Sequence, residues 1–439
     1  MPRLQKTWCV LVALLAGGLP HLAQAGGDAK AGAKPPPEVV KAWTDTGAKV
    51  GWMEQDALGF SQFHSKTSAP AGAVPAFQLD VWKDDTLSKL PDPGVPFGLS
   101  LWQTKVTDAG LKELAGLKSL HSLLVDGTEV TDAGMKELAG LQNLRSLALG
   151  GNVTDAGLQE LAGLKNLQAL SLYRISDAGM KELAKFKSLR SLGVGGTLGG
   201  PRITDAGLKE LAGIKNLQEL SIYSDKLTDA GLKELAGLKN LQGLSLYDSK
   251  QVTDAGVKEL AGLKNLRYLG LAHSKVTDKG LKELAGLTNL ETLVLLNTPV
   301  WGEGLKDLAG LMKLQSLNLD ATKVTGAGLK DLAGLKNLQE LGLGGTQLSE
   351  YGVRKLAGLK SLKSLELYMT PVTDADLKEL AGLESLQSLN LSRTQVTDEG
   401  LNELGGLKGL QRLDLSNTKV TAKGVERLQK ELPGCRIHR

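Results

Sequence analysis

Nine aromatic residues follow position 100, and six of them, Trp102, Tyr173, Tyr223, Tyr247, Tyr268 and Tyr368, stand where a strand turns its side chain outward. Rings gathered on one surface do the chemistry of contact. They supply apolar area, stack on flat partners and, through the phenol hydroxyl, make directional hydrogen bonds. Arg174, Asp248 and His273 stand beside the tyrosines and add charge and hydrogen-bonding capacity. The outward positions between them carry Ser171, Gly193, Ser221, Ser245 and Gly270, so the pattern predicts a shallow groove floored by Ser and Gly and walled by Tyr. Tyr173, Arg174, Tyr223, Tyr247, Asp248, Tyr268 and His273 are therefore the candidate binding residues. A second reading accounts for the same tyrosines without function: Tyr favours strands, and a Leu-Ser-Leu-Tyr segment is copied whenever a unit duplicates.

Bond-making chemistry has no comparable signature. Beyond the first 25 residues the histidines are His64, His121, His273 and His438, with no His-Glu-x-x-His and no cysteine pair. The run Gly195-Gly196-Thr197-Leu198-Gly199-Gly200 is not followed by Gly-Lys-Ser/Thr, so it reads as a loop insertion and not a phosphate cradle. Repeated Lys-Glu pairs such as Lys112-Glu113, Lys233-Glu234 and Lys282-Glu283 read as a solvated helix face. The expectation is a chain without catalytic residues, cofactor or metal.

The elements that must position the candidate residues are repeated. Unit starts fall at Thr107, Thr131, Thr154, Ser176, Thr204, Thr228, Thr253, Thr277, Trp301, Thr325, Ser349, Thr373, Thr397 and Thr421, spaced by 24, 23, 22, 28, 24 and 25 residues and then by 24 throughout. Leu389 and Leu391 alternate as in a short strand, whereas Leu377, Leu380, Ala381 and Leu383 have the i, i+3, i+4 spacing of a helix face. Thr-Asp at the unit start predicts a capped helix, the hydroxyl accepting an orphan amide and the carboxylate meeting the positive end of the dipole. Gly110 and its equivalents, and the Ala-Gly of Leu-Ala-Gly-Leu, are expected to let neighbouring backbones approach. One unit cannot bury enough apolar surface to offset its own ordering entropy, so the units must stack. Every irregular spacing lies among the tyrosine-bearing units, where loop changes shape a binding face.

Residues such as Leu-x-x-Leu-x-Leu-x-x-Thr followed by Thr-Asp-Ala-Gly-Leu-Lys-Glu-Leu-Ala resemble leucine-rich repeats of the helix-containing subclass, as in ribonuclease-inhibitor-like, GALA-type and F-box-associated repeat proteins. The resemblance covers about residues 96–439. It implies an α/β fold: a curved right-handed solenoid, or horseshoe, with parallel strands on the concave face, helices on the convex face and a small N-terminal cap. Where many relatives carry Asn or Cys after the strand, this chain mostly has Thr (Thr104, Thr128, Thr322, Thr346, Thr370, Thr394, Thr418), which changes the side chain that bonds the turn and not the fold.

Composition agrees with a short unit used many times, since 88 of 439 residues are Leu and 54 are Gly, against 17 aromatics. Arg3 and Lys6, the apolar run from Trp8 to Leu19 and Ala23-Gln24-Ala25 read as a cleavable leader over 1–25. Residues 26–37 read as a flexible tether, 38–95 as an N-terminal cap with Trp43, Trp52, Phe60, Phe63, Phe77 and Trp82, and 96–439 as the repeat domain. Loss of Arg3 and Lys6 takes the net charge from +4 to +2, which gives no electrostatic case for nucleic acid. After leader cleavage no membrane span is expected. Cys9 leaves with the leader, and Cys435 is expected as a buried, inert thiol in the last core position. The expected function is a non-catalytic, exported interaction scaffold, in the periplasm, at the cell surface or outside, that binds a protein or peptide on its concave face. Carbohydrate stacked on the Tyr column is the alternative, and substrate presentation as in F-box-linked relatives is a third, by analogy of repeats only.

Overall fold

The computed structural model describes residues 33–439 apart from 57, 67, 196–199 and 349, so the expected leader, most of the tether and most of the Gly195–Gly200 run lie outside the described residues. The chain forms two compact units, one ending at Lys226 and one running from Leu227 to Arg439.

The first unit starts with helix α1 (Pro37–Asp45), where Pro37 presets the first turn and Val39 and Trp43 share the buried face. Trp43 stacks on Phe77 at 4.4 Å between centroids, meets Phe97 edge-on at 5.8 Å, and donates its indole N–H to the Pro91 carbonyl at 3.1 Å. These rings close the open end of the first leucine layer. The strands are β1 (Lys49–Gln55), β2 (Ser61–His64), β3 (Val74–Gln78), β4 (Phe97–Ser100), β5 (Leu120–Val125), β6 (Ser146–Leu149), β7 (Ala169–Leu172), β8 (Ser191–Gly195) and β9 (Glu219–Tyr223). β1 pairs antiparallel with both β2 and β3, and from β3 to β9 each strand lies parallel to the next. The register sets Leu99, Leu123, Leu147, Leu170, Leu192 and Leu220 in one buried row.

The second unit continues the pattern in β10 (Gly243–Tyr247), β11 (Tyr268–Gly270), β12 (Thr292–Val294), β13 (Ser316–Asn318), β14 (Glu340–Gly342), β15 (Ser364–Glu366), β16 (Ser388–Asn390), β17 (Arg412–Asp414) and β18 (Arg436–His438). All pair parallel with their neighbours within the unit, with Leu244, Leu269, Leu293, Leu317, Leu341, Leu365, Leu389, Leu413 and Ile437 in one row. Short helices separate the strands in both units, and the segment Glu303–Leu308 winds as a 3-10 helix. Cys435 is buried as expected, and its burial raises the thiol pKa.

Two ladders of side-chain hydrogen bonds tie neighbouring turns. The Thr hydroxyl at a unit start does accept from the helix, as Thr131 does from Ala133 N at 3.3 Å, but the Asp serves the next turn of the solenoid. Asp132 accepts Thr154 N at 2.7 Å, the Thr154 hydroxyl at 2.7 Å and Gly157 N at 3.1 Å, and Asp108, Asp229, Asp254 and Asp374 bond their successors in the same way. This refines the reading of the helix glycine: a Cβ at Gly157 would meet the Asp132 carboxylate, so there the residue makes room for an acceptor, whereas Gly304, Gly328 and Gly352 lie against the backbone of the preceding turn as expected. Of the glycines of Leu-Ala-Gly-Leu, Gly116 and Gly163 have open space around them, whereas a Cβ at Gly262 or Gly286 would meet the lysine tip of the preceding turn. Asn143, Asn166, Asn265, Asn289 and Asn337 form the second ladder, each donating to a carbonyl of the preceding turn. The Thr residues after the strands donate to the carbonyl three positions back, as Thr322 does to Leu319 at 2.6 Å, which is the turn bond expected of them.

The Asp ladder is interrupted in the second unit, where Trp301-Gly302, Thr325-Gly326 and Ser349-Glu350 replace Thr-Asp, and it resumes at Asp374 and Asp398. Asp278 still caps Trp301, Gly302 and Gly304 at 2.7–2.9 Å, but Gly328 then packs on the bare backbone of Gly302. Thr373 instead bonds Asp376 three residues on, at 2.9 Å from its amide, in a capping box where the other units carry Gly.

Candidate functional site

In each unit the leucines point at the helices and the alternate strand residues point away, and this outward face carries the candidate residues. In the first unit the inner outward row is small: Gly98, Ser122, Ser146, Ala169 and Ser191, ending at Glu219. The β1–β2 hairpin lies on it. Met53 covers Gly98 and clusters with Phe63, Val74, Leu124 and Ala148. Ser61 donates its hydroxyl to Ser146 at 2.8 Å, Gly59 backs onto Ser191 with φ at +76°, and the Phe60 ring sits on Gly193, where a Cβ would meet it at 2.8 Å. Asp56 shapes the turn by accepting from Leu58 N, Phe60 N and Gln62 Nε2 at 2.9–3.0 Å, and burial raises its carboxyl pKa in spite of those bonds. The groove floor expected at Gly193 is thus filled by the chain itself. Tyr173, part-buried, Arg174, exposed, and Tyr223, part-buried, lie at the outer margin of this face.

In the second unit Tyr247 and His273 come together, with rings edge-on at 5.1 Å and His273 Nε2 at 3.2 Å from the Tyr247 hydroxyl. Asn297 Nδ2 lies 2.8 Å from His273 Nδ1. Burial lowers the His273 pKa, while the Asp248 charge raises it and Lys250 opposes that. Asp248 pairs with Lys250 at 2.9 Å. Both Asp248 and His273 have left-handed backbone, φ 62° and 61°, as do Asn297, Ala321, Met369, Arg393 and Asn417 at the same turn. Their placement follows from the unit turn and is shared by neighbours that were not candidates.

Tyr268 corrects the expectation of an outward wall. Its side chain is 3% exposed, because it lies over Gly270 and bonds Ser245, and desolvation pushes its hydroxyl up to about 12. The Gly270 floor is closed for the same reason.

Farther along the second unit lies a cluster of which the aromatic criterion found Tyr368 alone, and that residue was not among the candidate binding residues. Tyr368 crosses Gly344 and hydrogen-bonds Asp320 on the far side. Asp320, 6% exposed, also accepts Gly344 N at 2.7 Å and Asn318 Nδ2 at 3.2 Å, and burial raises its carboxyl to about 6. Glu340 and Glu366 are raised as well, first by burial, with the Glu366 charge acting on Glu340 and the Asp414 charge on Glu366. Ser316, Asn318, Glu340, Glu366 and Asn390 remain part-exposed and Arg412 exposed. Their signal in the sequence was the run of Asn, Asp and Glu at outward strand positions. Such groups can accept and donate hydrogen bonds across a surface. Among the described residues no group of three or more His, Cys, Asp or Glu side chains is placed to hold a metal ion, and no helix is long and apolar enough to cross a membrane.

The model of the family described as Leucine Rich repeat matches residues 262–285 and 382–405. Among solved structures, an internalin from Listeria monocytogenes is 26% identical, with a TM-score of 0.54, over 73% of this chain and 87% of its own. A leucine-rich-repeat protein from Leptospira interrogans is 25% identical, with a TM-score of 0.51, over 82% of this chain and 93% of its own. Among curated proteins none matches.

Proposed function

We propose that this chain, a leucine-rich repeat protein, is a non-catalytic scaffold whose outward strand face binds a protein or peptide. The observation that carries the reading is the second unit's face from β13 to β17, where Ser316, Asn318, Glu340, Glu366, Asn390 and Arg412 stand part-exposed or exposed on strands held rigid by the leucine rows beneath. Alternating acceptors and donors on a rigid floor suit a polypeptide, whose amides and cationic side chains they can pair. A carbohydrate partner would need open ring faces, and here Tyr268 is buried and Tyr247 is engaged edge-on by His273. Export is part of the same proposal and is supported by Arg3, Lys6, the apolar run and Ala23-Gln24-Ala25.

Affinity capture with the full chain, with Glu366→Lys/Asn390→Lys and with Tyr173→Ser/Tyr223→Ser/Tyr247→Ser tests the reading. Loss of one reproducible protein in the charge-reversed variant supports it. Capture unchanged in both variants refutes the face as the site, and glycan binding lost in the Tyr variant would transfer the function to carbohydrate. N-terminal sequencing of the secreted or envelope fraction should begin at Gly26. A full-length chain in the cytoplasm would refute export.

A further inference from the structure

β1 is held in the sheet by β3 over five residues, whereas β2 pairs with β1 alone and is part-buried throughout, and one polar group beneath the hairpin is unsatisfied. Ser122 lies in the inner row between Gly98, which Met53 covers, and Ser146, which Ser61 bonds. It is 4% exposed, and among the described residues its hydroxyl has no hydrogen-bond partner. An unpaired buried hydroxyl disfavours the closed arrangement, and water relieves it on opening. At the tip Leu58 is buried, Gly59 lies against Ser191 and the Phe60 ring, itself part-buried, lies against Gly193. The sheet offers no side chain at Gly193, so the seat is shaped for a flat ring that arrives from outside the repeat.

We propose that β2 and the tip that joins it to β1 form a displaceable cover: they occupy the first unit's outward face, open without unfolding the unit while β1 stays paired with β3, and compete for the seat on Gly193 with a partner segment that carries an aromatic side chain. This rests on the reading of the outward face as a binding surface, but it concerns access to the first unit and is tested without the captured partner. The covered row consists of Gly, Ala and Ser, side chains short enough for a polypeptide to lie against. The chain's own Gly59-Phe60-Ser61 shows how one sits there, with the backbone close at Gly, the ring on Gly193 and a hydroxyl paired to Ser146.

The test places a thiol beneath the cover. Ser122→Cys removes no hydrogen bond, and its alkylation in the full chain is read by mass spectrometry on the proteolytic fragment that spans position 122. Under native conditions the rate should be insensitive to low urea, should rise about tenfold or more when Phe60→Ala is added, and should fall again when a synthetic peptide of residues 54–66 is supplied to that variant. The same peptide carrying Phe60→Ala should not protect. An equal rate with and without Phe60→Ala, or a rate that tracks global unfolding across urea, overturns the proposal. Should Phe60→Ala unfold the chain, Gly193→Ala lifts the ring by one methyl and reads the same difference.

Discussion

The two units are built on the same kind of interior and present opposite exteriors. In both, a row of leucines backs the strands, yet the inner outward row is Gly98, Ser122, Ser146, Ala169, Ser191 and the buried Glu219 in the first and Gly243, Tyr268, Thr292, Ser316, Glu340, Ser364, Ser388, Arg412 and Arg436 in the second. The first row is short because the chain's own hairpin lies on it, and Leu124 and Ala148 face outward because Met53 and Phe63 cover them. The second carries the part-exposed Glu340 and the exposed Arg412, and where this face is filled the filling is local: Tyr368 over Gly344 and Tyr268 over Gly270. Residue size on an outward strand row reports what lies on top of it.

The same substitution in the two rows should break this symmetry most strongly. Ser146→Lys puts an ammonium beneath the hairpin and should cost about 3 kcal/mol or more in urea unfolding. Ser388→Lys, on the part-exposed row, should stay within about 0.5 kcal/mol. Equal effects would mean that the hairpin does not cover the row.

Next in size is pH dependence, which belongs to the second unit. The folded pKa of Asp320, about 6, lies above its unfolded value, so its stabilising contribution is full below the unfolded pKa and is lost as pH rises through 6. Between pH 4 and pH 7 this amounts to roughly 2–3 kcal/mol. Asp320→Asn should flatten that slope in a urea titration, leaving the smaller part owed to Glu340 and Glu366, which are raised in the same sense. A slope unchanged in the variant would remove Asp320 from the account. Smaller again, Phe60→Ala should cost about 1–2 kcal/mol, because the ring is only part-buried. A loss on the scale of a fully buried phenylalanine would instead make the hairpin a core element.

The repeat fold was legible because Leu-x-x-Leu-x-Leu and the helical spacing are local signals that recur. The Thr-Asp pair was legible only in half: local capping rules find the hydroxyl's role, whereas the carboxylate bonds a residue one turn of the solenoid later, a distance no local rule spans. The candidate site fared less well for the same reason. Counting aromatics found Tyr247 and His273, which do meet, but it treated every outward ring as a wall. Tyr268 lies flat because the glycine two residues on leaves it space and Ser245 offers its hydroxyl a partner. The hairpin's seat depends on contacts across 85 residues, Ser61 to Ser146, and left only the shortness of a row as its trace.

The claim that one face is covered by the chain and the other is not can be tested in a single measurement. Ser122→Cys and Ser388→Cys occupy the same outward row in the two units, and their alkylation rates in the folded chain compare the faces directly. The expected result is fast reaction at position 388 and reaction slower by about a hundredfold or more at position 122. Equal rates at the two positions would contradict it.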